Sequence, residues 1–253
     1  MKTLSAILIT RNEADCIARC LESVRFADEI VVLDSGSTDN TVEICRGFTP
    51  HVFMTDWPGF GLQKQRALDR AKGDWVLSID ADEWVTPALQ AEILQAIAAD
   101  GQAPEAFEIP RLSSYCGRKM RHGGWYPDYV LRLFQRDKGS FTPVAVHERI
   151  VVRGRIGRLG SPLQHESYIN LEEVLHKNNS YSSLGARELN ASGVKGSLHK
   201  AVLKGLWAFT RTYLLKASFL DGKQGFMLAV SNAEATYYKY LKLMELQTLR
   251  KSG

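Results

Sequence analysis

The sequence predicts an α/β fold, a mostly parallel sheet flanked by helices and followed by a helical C-terminal region. Two observations carry that prediction. Over roughly the first 100 residues, short apolar runs of strand character alternate with segments of helical period. Such alternation needs crossover connections, and these place helices on both faces of a parallel sheet. Beyond about residue 170 the period is helical only.

The elements follow in order. Residues 4–10 form a first strand, with Arg11-Asn12-Glu13 as its turn, and Ile17, Leu21 and Val24 then recur at helical spacing. Residues 29–34 are a second buried strand ending in Ser35-Gly36-Ser37-Thr38-Asp39-Asn40, a loop of turn formers and helix caps, and residues 41–46 are a short helix. A short strand is expected over 51–54, and a helix over 62–71 closed by Gly73. A central strand around Val76, Leu77 and Ile79 runs into Asp80-Ala81-Asp82-Glu83, and a helix with Pro87 in its first turn follows to residue 99.

Composition sets the class. The 253 residues are 45% hydrophobic and 24% charged, an ordinary globular balance. Cys16, Cys20, Cys45 and Cys116 form no CxxC pair, so they are expected as buried apolar residues in a reducing compartment, not as zinc ligands or disulfides. The apolar run at the start is too short for a signal peptide, which gives a cytoplasmic expectation. From Lys195 onward there are ten Lys or Arg against three Asp or Glu, although the whole chain carries only +4. A basic, aromatic tail implies an acidic surface as partner; with no nucleic-acid-binding motif, that surface is anionic lipid.

The acids after the central strand are the chemical focus. In an extended chain, residues two apart point to the same side, so Asp80 and Asp82 are expected to face one spot at the sheet edge where open α/β folds bind ligands. A divalent ion carrying a diphosphate would relieve their repulsion; the alternative is a solvated acidic turn. The first, second and central strands all end in polar groups at this edge, and that convergence favours a ligand site.

Ile7-Leu8-Ile9-Thr10-Arg11-Asn12-Glu13, Val31-Val32-Leu33-Asp34-Ser35-Gly36-Ser37-Thr38-Asp39, Lys64-Gln65-Arg66-Ala67-Leu68 and Asp80-Ala81-Asp82-Glu83 together resemble family 2 glycosyltransferases of the GT-A fold. The resemblance implies inverting transfer of a sugar from a UDP-linked donor with Mg²⁺ or Mn²⁺. It implies that Thr10, Asn12 and Glu13 line the nucleotide pocket and that Asp34 accepts from the uracil N3–H. It further implies that Lys64 reaches the nucleotide or its phosphates, that Asp80 lies on the ribose side, and that Asp82 holds the metal. Lys64 as a solvated helix cation and Asp34 as a turn initiator are the plainer alternatives. The implied organisation is a catalytic domain over 1–170, with a nucleotide-binding half (1–100) and an acceptor half (101–170), and a helical region over 171–253. A nucleotidyltransferase is disfavoured because no Gly-rich phosphate loop follows the first strand.

The acceptor half should supply the base. Many family 2 enzymes have a Glu-Asp pair there; this chain has His147-Glu148, so Glu148 is the first candidate and Asp128 the second. His147 and His165 are structural residues, groups behind the ligands, or metal ligands. Arg132 pairs with a phosphate or lies in a surface salt bridge. Gly123, Gly124 and Trp125 suit close approach to a sugar. The HGGW, RLF and VHE patterns, Gln164-His165-Glu166-Ser167-Tyr168 and Phe219-Leu220-Asp221-Gly222-Lys223-Gln224-Gly225-Phe226 resemble more narrowly the bacterial lipopolysaccharide inner-core β-1,4-glucosyltransferases of the WaaE/KdtX type. That implies UDP-glucose as donor and a core heptose as acceptor. A protein or another polysaccharide as acceptor, or a non-catalytic nucleotide-sugar-binding membrane scaffold, are the alternatives.

In the tail, Val202, Leu206, Phe209 and Tyr213 form an apolar stripe widened by Leu203, Trp207 and Leu214, with Lys200, Lys204 and Arg211 opposite. This predicts a helix over 197–220 that lies on the inner face of the cytoplasmic membrane or packs on the catalytic domain. The last helix, with Tyr237, Tyr238, Tyr240, Leu241 and Leu243, offers the same options and a homo-oligomer contact.

Overall fold

A computed structural model describes residues 2–99, 103–143 and 149–249. They form two compact units, one from the described residues of Met1–Arg111 and Asp128–His165, the other from those of Leu112–Pro127 and Glu166–Gly253. Residues 112–127 therefore cluster with the C-terminal helices.

In the first unit the elements are β1 (Leu4–Thr10), α1 (Ile17–Ser23), β2 (Glu29–Asp34), α2 (Thr41–Arg46), β3 (Val52–Met54), α3 (Phe60–Leu68), β4 (Trp75–Ser78), β5 (Glu83–Trp84) and α4 (Pro87–Ala98). Strands β6 (Ala106–Tyr115), β8 (Asp128–Gln135), β9 (Gly139–Phe141), β10 (Ile150–Val152), β11 (Ile156–Arg158) and β12 (Leu163–Tyr168) follow; the last residues of β6 and β12 and all of β7 (Arg118–Lys119) belong to the second unit. The sheet order is β3-β2-β1-β4-β8-β6-β12-β5. Pairing is parallel from β3 to β4 and antiparallel from β4 to β8 and from β8 to β6. Hence the α/β class holds, with a parallel run β3-β2-β1-β4 over the first 78 residues and one further parallel pair, β11 with β6.

The parallel strands carry apolar residues on both faces, and two clusters result. One contains Leu8, Ile17, Leu21, Val32, Leu77 and Leu89; the other contains Ile7, Val31, Leu33, Ala67, Val76 and Phe134. Thr86 caps α4 by accepting from Leu89 N–H at 3.2 Å, and Pro87 occupies the position where a missing N–H costs nothing. Helix α3 ends at Leu68, short of the expected 71. Gly73 instead closes against β1: a Cβ there would lie 2.7 Å from Ser5 N.

The second unit holds α5 (Leu171–Ala191), α6 (Leu198–Thr210) and α7 (Gly222–Leu249). The single helix expected over 197–220 is broken into α6, a π turn at Arg211–Leu215 and a 3₁₀ turn at Ser218–Asp221, with positive φ at Ala217 and Gly222 ending the regular path. The stripe also divides. Helix α6 buries its small residues, Ala201 and Gly205, and a Cβ on Gly205 would sit 3.3 Å from Tyr237 Cβ on α7. Leu203, Leu206 and Trp207 are left 67%, 62% and 54% exposed. Phe209 and Tyr213 instead join Phe219 and Phe226 in an aromatic group with centroids 5.4–6.0 Å apart.

Trp125 packs edge-on to Tyr115 at 5.7 Å and beside Tyr168 at 6.0 Å, so its ring serves this unit's core and is not a free sugar platform. Asp221, from the LDGKQG stretch, accepts from the Arg121 and His122 backbone N–H groups at 3.1 and 2.7 Å and anchors the His122-Gly123-Gly124 loop. The same stretch needs Gly225: a Cβ there would fall 1.7 Å from the Ser218 carbonyl oxygen. Gly225→Ala should lower stability by about 1–3 kcal/mol, a fall of a few degrees in Tm for a chain of this size. Thermal unfolding checks this, and an unchanged Tm would contradict the packing.

Candidate active site

Register fixes the site. Thr10 pairs with Asp34, and Ile7 with Ser78, so the carboxyl ends of β1, β2 and β4 lie side by side. Residues 10–13, 34–38 and 80–83 leave the sheet together there.

The first two loops are stitched to each other. Asp34 is fully buried, and its Oδ1 accepts from Gly36 and Ser37 N–H at 2.9 and 2.8 Å while Oδ2 accepts from the Ser37 hydroxyl. Asn12 adopts a left-handed conformation (φ 57°), donates its N–H to Ser37 Oγ at 2.8 Å and accepts from Thr38 N–H at 2.8 Å. Glu13 N–H donates to Thr41 Oγ1 at 2.8 Å, and the Glu13 carboxylate lies 3.1 Å from Cys16 Sγ. Burial and that carboxylate push the Cys16 thiol well above its ordinary range. Thr10 is buried, and its hydroxyl has no hydrogen-bond partner among the described residues, an orphan polar atom at the ligand edge.

The third loop corrects the extended geometry expected for Asp80 and Asp82. The chain turns, with Glu83 N–H donating to the Asp80 carbonyl and Asp80 N–H to Glu83 Oε2, both at 3.0 Å. The two aspartates therefore have different partners. Asp80 is held by Lys64 Nζ at 2.9 Å and by the Arg132 guanidinium, which also reaches Glu83 Oε1 at 2.7 Å. Asp82 lies 3.3 Å from His165 Nε2 and is 38% exposed.

Lys64 and Arg132 are each 7% exposed, which excludes both the solvated helix cation and the surface salt bridge. Burial alone would raise the Asp80 carboxyl, but the Arg132 and Lys64 charges outweigh it and hold the group well below the usual range. For Glu83 burial prevails over Arg132, and the nearby Asp80 charge adds to it, so that carboxyl is raised. The paired carboxylates push the Arg132 guanidinium upward against burial.

Asp128 is tied to Arg111 through Nε at 3.0 Å and Nη2 at 2.7 Å, and Arg111 Nη1 also lies 3.6 Å from Glu83. A cavity of about 510 Å³ opens beside this cluster, lined by Lys64, Asp80, Arg111, Tyr129, Arg132 and Arg149 among others. Glu148 and His147 lie outside the described residues. Arg111 was not legible as a site residue, Glu83 was quoted only as part of the acidic motif, and Arg132 was read as a phosphate or surface partner and not as the buried bridge between Asp80 and Glu83. For Arg132 a signal existed: on β8 it shares a face with Val130 and Phe134, and a charge at an inward strand position needs a buried partner.

Among the described residues no group of three or more His, Cys, Asp or Glu is arranged to hold a metal alone. Asp80, neutralised by two cations, is a poor ligand. Asp82 is an accessible hard oxygen donor, which fits a cation whose other ligands are diphosphate oxygens and water.

Fold and site together define an α/β protein whose parallel strands present a charged ligand edge. The chain belongs to a known enzyme family: residues 5–153 match Glycosyl transferase family 2, so it is a transferase of glycosyl groups. It is 32% identical to an uncharacterized glycosyltransferase of Rickettsia typhi over 97% of this chain and 88% of that one. It is also 32% identical to the lipopolysaccharide core biosynthesis glycosyltransferase LpsC of Rhizobium meliloti, over 98% of this chain and 94% of that one. Among solved structures, residues 1–349 of S. aureus TarS in complex with UDP-GlcNAc align at 14% identity with a TM-score of 0.48, covering 99% and 92% of the two chains.

Replacing Arg132 by methionine should strand the buried Glu83 carboxylate, leave Asp80 to Lys64 alone, and cost about 3–5 kcal/mol. Denaturant unfolding at pH 7 measures it. The depressed Asp80 carboxyl contributes stability above its unfolded pKa, which is lost as pH falls, and the raised Glu83 carboxyl opposes that trend. The Arg132→Met defect should therefore shrink as acid protonates both groups. A variant as stable as wild type at pH 7 would contradict the assignment.

Proposed function

We propose that the chain moves glucose from UDP-glucose, with inversion, onto a heptose of the lipopolysaccharide inner core, working as a peripheral enzyme on the inner face of the cytoplasmic membrane. The observation that carries the reading is the division of labour at the end of β4: Asp80 is neutralised by Lys64 and Arg132, and Asp82 is left accessible. The LpsC relative, named for lipopolysaccharide core biosynthesis, supports the acceptor class.

In this reading Thr10, Asn12 and Glu13 line the nucleotide pocket, and the orphaned Thr10 hydroxyl would bond the ligand. Asp34 builds the loop that faces the base. Three donors already occupy its carboxylate, of roughly four acceptor positions available, so the remaining one would serve the uracil N3–H once the loop admits the nucleotide. Lys64 and Asp80 orient the ribose and phosphates as one ion pair. Mg²⁺ or Mn²⁺ held by Asp82 would offset the charge that grows on the departing diphosphate. Asp128 is committed to its ion pair with Arg111, so in this reading removal of the acceptor hydroxyl proton falls to Glu148.

Purified protein given UDP-glucose and delipidated core oligosaccharide should show transfer that EDTA abolishes. Asp82→Ala should cut kcat/KM by roughly a hundredfold or more. Transfer undiminished by EDTA, or an Asp82→Ala enzyme of full activity, would overturn the metal-bound diphosphate.

A further inference from the structure

The second unit contains a cavity of about 340 Å³ that the proposed transfer reaction does not use. Arg211, Lys216 and Lys239 line it together with Thr212, Asn232 and Thr236. Among the described residues no Asp or Glu lines it, and none of the three cations has a carboxylate in ion-pair range. The site is built, because the backbone makes room for its charges. Gly123 lines the wall and donates its N–H to the Lys216 carbonyl at 2.8 Å, and a Cβ on Gly124 (φ +82°) would lie 2.2 Å from Lys216 Nζ. Thr212 is buried, and its hydroxyl accepts from Asn232 Nδ2 at 3.2 Å, so a polar, hydrogen-bonded floor lies under the cations.

Three cations, with hydroxyl and amide groups between them, select an oxyanion carrying more than one charge, and phosphate is the natural member of that class. The surroundings identify its source. Arg211 and Thr212 continue directly from α6, whose outer arc presents Val202, Leu203, Leu206 and Trp207 to solvent, followed at helical spacing by Lys200 and Lys204. Leu214, Leu215 and Phe219 are exposed in the turns that follow. Residues 195–223 carry six Lys or Arg and one acid, Asp221, which is buried against the His122 loop. No helix among the described residues is long and apolar enough to cross a membrane. An apolar arc bordered by cations suits the boundary between headgroups and acyl chains.

We propose that the Arg211–Lys216–Lys239 cavity binds the phosphate headgroup of an anionic lipid while the outer arc of α6 enters the bilayer surface. The inference deepens the proposed transferase reading and rests on it for the lipid-linked nature of the acceptor. Binding can be measured without turnover.

Full-length protein is floated with vesicles of phosphatidylcholine, with and without phosphatidylglycerol. It should bind only the anionic vesicles. Arg211→Gln with Lys239→Gln should weaken that binding roughly tenfold or more. Leu203→Ser with Leu206→Ser, at exposed positions that carry no fold, should release the protein from the same vesicles. With EDTA present, so that the donor site holds no metal-borne diphosphate, inorganic pyrophosphate should raise the Tm of wild type but not that of the double-Gln variant. Transfer to delipidated oligosaccharide should persist in both variants, which separates failure of this site from failure of the transferase reading. Equal binding to neutral vesicles, or anionic binding that survives the double-Gln change, would overturn the proposal. Pyrophosphate binding without vesicle binding would make the ligand a soluble phosphate. A stable dimer that ignores vesicles would make a second copy the occupant of the arc.

Discussion

The buried Arg132 guanidinium, bridging Asp80 and Glu83, is the constraint on which the first unit's ligand edge depends. Two carboxylates brought this close would otherwise repel, and burial would favour their neutral forms. Arg132 stands on β8, the first antiparallel strand beyond the parallel set, where Leu77 pairs with Leu133. The change of strand direction thus brings a cation from the second half of the sequence to the end of β4. Lys64, from α3, completes the neutralisation of Asp80. With Asp80 settled, the turn delivers Asp82 outward with only His165 beside it among the ion pairs of the described residues.

The second unit answers a different physical demand. Helix α6 could have buried its large side chains, yet it packs on α7 through Ala201 and Gly205, which lets the two backbones come close. The large apolar residues stay outside, beside a surplus of positive charge. Exposed Leu and Trp in that number need a partner surface. The glycine pair in the His122 loop likewise serves this unit, where it clears space for Lys216.

Much of the fold was legible because it depends on local patterns. Strands β1 and β2 and helix α2 fall on the residues expected from apolar runs, caps and turn formers, and α4 begins at Pro87 and ends one residue early. Thr10, Asn12, Asp34 and Asp80 were legible as neighbours because parallel strands must end at one edge, and Lys64 entered only through the family resemblance. What escaped was non-local. The Arg132–Glu83 pairing joins positions 49 apart in sequence, and no period encodes it. The two aspartates were read as extended because the hydrogen bonds that turn the chain at Asp80 use the Glu83 side chain and backbone. The α6 stripe was assigned by hydrophobicity alone, whereas small residues chose the buried face.

The proposed role of Asp82 is to supply the protein's hold on a metal-borne diphosphate. Calorimetric titration of UDP with and without Mn²⁺, on wild type and on Asp82→Asn, tests this most directly. UDP should bind tightly only when Mn²⁺ is present, and that metal dependence should be lost in Asp82→Asn while Asp128→Asn retains it. UDP binding of equal strength without the ion, or Mn²⁺-dependent binding untouched by the change at Asp82, would contradict that role.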